Sequence, residues 1–150
     1  PSIKILFVGS GELMDKMKCV SNKKNLSNHI LFMGWREDVA SLSAISDIGI
    51  SVSKQEGLGL GLLEEMYHGL PIVASQDRGH REMVVHGVNG FLYRQGDTDE
   101  FVSHIIELSN NQLLRKKMGE MSKIKSESFT IDKSLKKMTD IYKSILSTSL

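Results

Sequence analysis

The apolar positions change period several times along the chain, and each change marks a predicted element. Ile3-Lys4-Ile5-Leu6-Phe7-Val8 is a short, nearly continuous apolar run closed by Gly9-Ser10-Gly11. That is the pattern of a strand buried on both faces of a parallel sheet. Over residues 12–24 the spacing lengthens to three and four, with Leu13, Met14, Met17 and Val20 on one face, and Ser21, Asn22 and Asn25 supply the stop. His29-Ile30-Leu31-Phe32-Met33 reads as a second strand closed by Gly34-Trp35, residues 38–46 as a short helix bearing Val39, Leu42 and Ile45, and residues 47–52 as a third strand. Leu62, Leu63, Met66, Tyr67 and Leu70 then keep helical spacing until Gly69-Leu70-Pro71, where a glycine C-cap and a proline end the helix. Ile72-Val73-Ala74-Ser75 is a fourth strand, residues 76–80 a loop, and residues 81–86 one or two helical turns. Gly87-Val88-Asn89-Gly90 turns into a last short strand, Phe91-Leu92-Tyr93. Asp97 and Glu100 have capping-box spacing, and from there to Leu150 the pattern is helical, lysine-rich and free of glycine except Gly119.

Strands alternating with helices at this spacing build βαβ units, whose right-handed crossovers put helices on both faces of a parallel sheet. The fold class expected is therefore α/β, with extra helices at the C-terminus. Ligands of such sheets bind at the carboxyl ends of the strands.

Composition narrows this only a little. The 150 residues are 40% hydrophobic and 25% charged, enough apolar material for the core of one domain, and the net charge of +1 gives no electrostatic case for nucleic acid. Cys19 stands alone, so no disulfide framework forms within the chain and a cytoplasmic setting is expected. His29, His68, His86 and His104 lack metal-ligand spacing, and the lysines at 116, 117, 123, 125, 133, 136 and 137 read as a solvated helix face, with contact to an anionic membrane as the alternative. Trp35, closing a strand, reads as core rather than as the border of a ligand. The abrupt start of the first strand suggests a piece of something longer.

The stretch with candidate chemistry is Ser53-Lys54-Gln55-Glu56-Gly57-Leu58-Gly59-Leu60-Gly61, between the third strand and the next helix. Glycines let a ligand approach the backbone, and the free N–H groups and dipole of a new helix favour an anion, most often phosphate. Glu56 before the helix and Glu64 within it do not suit a bare phosphate site. They suit a ligand with phosphate in the middle and hydroxyls at both ends. Eight helical residues rise about 12 Å, long enough to span such a ligand, and an ionised carboxylate accepts from both hydroxyls of a diol. Gly9 and Gly11, in the loop after the first strand, and His80, beside Arg78 and Arg81, are further candidates for contact with the ligand.

The run Glu56-Gly57-Leu58-Gly59-Leu60, Leu63-Glu64-Glu65-Met66, Gly69-Leu70-Pro71-Ile72-Val73-Ala74 and Gly87-Val88-Asn89-Gly90-Phe91-Leu92 with Gly96-Asp97 resembles the C-terminal half of family-4 retaining glycosyltransferases of the GT-B fold. Asp77-Arg78-Gly79-His80-Arg81-Glu82 is most similar to the branch that builds bacterial capsular and exopolysaccharides. The resemblance implies a Rossmann-like domain that binds a nucleoside diphosphate sugar. Glu64 would accept from the ribose hydroxyls, Glu56 would touch the transferred sugar, and the N–H groups near Gly57, Leu58, Gly59 and Leu60 would face the diphosphate or the sugar. No metal cofactor is expected, and the acceptor would be a saccharide or a lipid-linked one. In the family an arginine and a lysine upstream of the first strand seen here hold the diphosphate, and an N-terminal domain supplies most of the acceptor site. Residues 1–150 are therefore expected to be a single donor-binding domain, lacking that N-terminal domain and its own first strand and inactive alone. Leu58 stands where the family commonly has phenylalanine. A noncatalytic nucleotide-binding module and a related sugar-nucleotide epimerase are the alternatives.

Overall fold

A computed structural model describes residues 3–148, so the predictions for Pro1, Ser2, Ser149 and Leu150 lie outside the described residues. The chain divides into two compact units, with the boundary between Ile45 and Ser46.

In the first unit the order is β1 (Ile5–Val8), α1 (Met14–Lys23), β2 (Ile30–Gly34) and α2 (Val39–Ala44). β1 and β2 pair in parallel with Ile5 opposite Ile30 and Phe7 opposite Phe32, and the Phe7 and Phe32 rings stack with centroids 5.4 Å apart. Asn25 takes a left-handed conformation just past α1 and stops it, as its residue type suggests. Burial departs from expectation. Phe7 is 49% exposed, Val8 40% and Leu13 63%, so neither the strand nor the apolar stripe of α1 is enclosed. A two-stranded ladder with two helices has too few elements to cover both faces. Trp35, expected as core, is 77% exposed.

The second unit carries both buried clusters. It runs β3 (Gly49–Ser51), α3 (Leu60–Tyr67), β4 (Ile72–Ser75), α4 (Arg78–Met83), β5 (Gly90–Tyr93), α5 (Thr98–Asn110), α6 (Gln112–Ser126), a 3₁₀ turn (Glu127–Phe129) and α7 (Ile131–Thr148). The three strands are parallel in the order β3-β4-β5, with Ile72 between Gly49 and Gly90. Alternation splits the core in two. Ile72, Ala74 and Leu92 pack with Leu62, Met66, Met83 and Val84, while Val73, Phe91 and Tyr93 pack with Leu108 and Met118. Both faces are covered, which is why Ile72-Val73-Ala74 is uniformly apolar.

Local chemistry explains the helix ends. The N–H of Leu70 donates to Glu65 O and that of Gly69 to Met66 O, a Schellman closure with Gly69 at φ +78°. The backbone of Gly69 then lies so close to α6 that a Cβ on Gly119 would overlap the Gly69 carbonyl oxygen. Asp77 accepts from the N–H of His80 at 2.7 Å and starts α4 at Arg78, three residues earlier than expected. The same segment ends earlier too, because Asn89 Oδ1 takes the Val85 N–H at 2.7 Å. Residues 76–80 are thus partly helix rather than loop. The lysines at 116, 117, 123, 133, 136 and 137 are exposed, whereas Lys125 lies over the Phe129 ring. Among the described residues no helix is long and apolar enough to cross a membrane.

Candidate functional site

In the second unit the carboxyl ends of β3, β4 and β5 lead into Ser53–Gly59, Gln76-Asp77 and Arg94–Asp97. The first of these segments is held by the other two. Ser75 Oγ, at the end of β4, donates to Ser53 O at 2.5 Å, and Gln95 Nε2, just past β5, donates to Lys54 O at 2.5 Å. Gly79, in the first turn of α4, lies against the next carbonyls. A Cβ there would overlap the oxygen of Glu56 and come within 2.8 Å of that of Gly57.

This pattern fixes where the amides point. Among the described residues all peptide bonds are trans, and in a trans peptide the N–H is antiparallel to the preceding C=O. With the carbonyls of Ser53, Lys54, Glu56 and Gly57 turned toward β4, α4 and β5, the N–H groups of Lys54, Gln55, Gly57 and Leu58 point the other way, and none of them has a partner among the described residues. Helix α3 follows at once. Its N-cap is Gly59, no side chain caps it, and the first amides of the helix extend the row. A line of unpaired N–H groups running into a helix N-terminus attracts an anion.

The two candidate carboxylates flank this row. Glu56 is half-buried beside Gly59, with its Cγ 3.4 Å from where a Cβ on that glycine would lie. Glu64 is exposed on the second turn of α3. The helix begins only at Leu60, so the segment between them is helical over its second half alone. Glu65, next to Glu64, is mostly buried, and burial pushes its carboxyl up to about 8, with the neighbouring charge of Glu64 adding to the effect. Gly57 and Gly61 face open space, and Leu58 and Leu60 are exposed.

His80 is fully buried. Its Nδ1 lies 2.8 Å from Ser75 O, an acceptor, so Nδ1 carries the proton, while Nε2 is enclosed without a partner. Ser75 Oγ is 3.3 Å from the same nitrogen. The imidazole thus belongs to the support beneath the loop. Arg78 is almost fully exposed, and Arg81 Nε donates to the Asp77 carbonyl. In the first unit, Gly9 follows β1 with φ +123°, its N–H donates to Gly34 O at 2.8 Å, and both Gly9 and Gly11 face open space. The structure therefore brings Glu56, Gly57, Leu58, Gly59, Leu60, Glu64 and His80 together within one unit and places Gly9 and Gly11 in the other. Sequence reasoning missed Ser75, Gly79 and Gln95. Their partners lie far along the chain, and only the glycine, inside the quoted Arg78-Gly79-His80 segment, left a trace.

The family model for glycosyl transferases group 1 matches residues 1–125. The chain belongs to the group 1 glycosyltransferases. Among its relatives, EpsD of Bacillus subtilis is 32% identical over 142 residues, covering 95% of this chain and 37% of that protein. The N-acetyl-alpha-D-glucosaminyl L-malate synthase of Bacillus anthracis is 33% identical over 145 residues, 95% of this chain and 38% of that one. Anabaena HepE, solved with UDP and with UDP-glucose, superposes with a TM-score of 0.86 at 26% identity over 96% of this chain and 42% of its own. The α/β architecture expected for this glycosyltransferase domain is thus present, including the C-terminal helices. The chain spans about two fifths of the length of the relatives it matches.

Proposed function

We propose that residues 1–150 are the donor-binding portion of a longer retaining glycosyltransferase, and that the N–H row at Lys54–Leu58 with the N-terminus of α3 receives the diphosphate of a UDP-sugar. The observation that carries this reading is the clamped loop, which presents unpaired amides between two carboxylates. The likeness to HepE, which binds UDP and UDP-glucose, supports uridine as the nucleoside. Glu64 accepts from the ribose hydroxyls and Glu56 from those of the sugar, with the enclosed His80 supporting the loop from beneath.

The chemistry asks for stabilisation of negative charge on the departing diphosphate while positive charge grows at the anomeric carbon. Amides fixed in advance supply the first without reorganising. Glu56 orients the sugar, and the acceptor attacks from the face that the diphosphate leaves. The acceptor, a saccharide or lipid-linked one, is held by the rest of the protein on the cytoplasmic side of the membrane in polysaccharide assembly, and this chain alone does not turn over.

Calorimetry with UDP and UDP-glucose tests this. Saturable binding that Glu64→Ala abolishes is expected, with Glu56→Ala weakening UDP-glucose more than UDP. No binding at millimolar ligand, by this chain and by the full-length gene product alike, overturns the reading in favour of a noncatalytic module.

A further inference from the structure

Four carbonyls of the loop are turned inward, but the groups that turn them are unlike. Ser75 is buried, with 1% of its surface accessible, and Gly79 is packed beneath the loop, so both belong to the core. Gln95 is exposed, and its amide reaches across 41 residues of sequence to the Lys54 carbonyl. It sits in the short connection between β5 and the Asp97 cap of α5, where nothing about the fold asks for a side-chain amide.

We infer that Gln95 is a positioning residue for Glu56. By holding Lys54 O it fixes the plane of the Lys54–Gln55 peptide, which sets the outward direction of the Gln55 N–H and the path of the chain into Glu56 one residue later. Glu64 is on α3 and is held by the helix itself, independently of that peptide. Gln95 therefore acts on the sugar through Glu56 and, more weakly, on the diphosphate through the single Gln55 N–H, and leaves the ribose contact of Glu64 alone. This rests on the donor-binding reading above.

The test removes the donor without touching the core. Gln95→Met keeps length and loses the N–H, while Gln95→Arg keeps an N–H at similar reach. In the full-length gene product, Gln95→Met should bind UDP-glucose about five-fold more weakly, the worth of one neutral hydrogen bond. UDP affinity should fall by less than that, melting temperature should stay unchanged, and Gln95→Arg should restore the UDP-glucose affinity. Equal losses for UDP and UDP-glucose, or no loss for either, overturn the inference while wild-type binding leaves the donor reading intact. Failure of the wild type to bind either ligand overturns the donor reading instead. In that case amide NMR of the unliganded protein still decides the positioning role. Gln95→Met should shift the amide signals from Gln55 to Leu58 and Gln95→Arg should return them, whereas unmoved signals overturn it.

Discussion

Glu64 and Glu65 are neighbours on α3 and meet opposite conditions, which makes Glu65 the sharpest probe of the packing. Its carboxyl fills the space that Gly49 leaves by having no Cβ, and its Oε2 has no hydrogen-bond partner. Burial is the main cause that lifts its pKa from 4.5 to about 8. The folded chain then keeps this proton at neutral pH and the unfolded chain loses it. Between pH 4.5 and about 8 the folded state binds more protons, so stability is greatest below 4.5, falls across the window and levels off above it. At about 1.36 kcal/mol per pKa unit, the whole fall amounts to about 5 kcal/mol. Glu65→Gln preserves the shape and removes the ionisation. Urea unfolding of both proteins across the pH range should give a difference that is constant in acid and widens in favour of the glutamine variant by up to about 1.4 kcal/mol per pH unit. Parallel stability curves from mildly acidic to mildly alkaline pH would refute the reasoning.

Two glycine substitutions should separate support from site. Gly119→Ala drives a Cβ into the Gly69 carbonyl, a backbone atom that cannot swing aside. It should cost about 1–3 kcal/mol in urea unfolding through forced separation of α3 and α6. Gly57→Ala meets nothing within 4 Å, so its unfolding midpoint should stay within the small change expected of a surface position. In calorimetry it should nevertheless lose UDP-glucose affinity, since the methyl group stands where the diphosphate approaches.

How much of this was legible depended on range. β4 was readable to the residue, because four apolar or small positions between Pro71 and Gln76 admit no other period. The Asp97 cap was readable as well, and its carboxylate takes the Glu100 N–H at 3.0 Å. The reciprocal half of that capping box was not, since Glu100 Oε2 reaches the N–H of Arg94 instead. The N-cap role of Asp77 was hidden by the glycine that follows it, which reads as a loop residue. Gly79 is there for a different reason, the close approach of the Glu56 and Gly57 carbonyls. Ser75 and Gln95 act on residues 22 and 41 positions away, and no local pattern records such a bond.

The glycines show how a family signature divides between scaffold and site. Gly79, Gly90 and Gly119 are each pressed against another segment's backbone, so the fold itself requires them. Gly57 and Gly61 have open space where a side chain would go and no left-handed backbone to accommodate. Nothing among the described residues explains their lack of a Cβ. A glycine costs conformational entropy when it is ordered, and at a helix position about 1 kcal/mol relative to alanine, so two of them beside an unpaired row of amides call for a reason outside the chain. A ligand lying against the backbone supplies it. The clamps on Ser53 and Lys54 then have a purpose that stability alone would not give them, because they hold the amides of an otherwise floppy glycine loop in one direction before the ligand arrives.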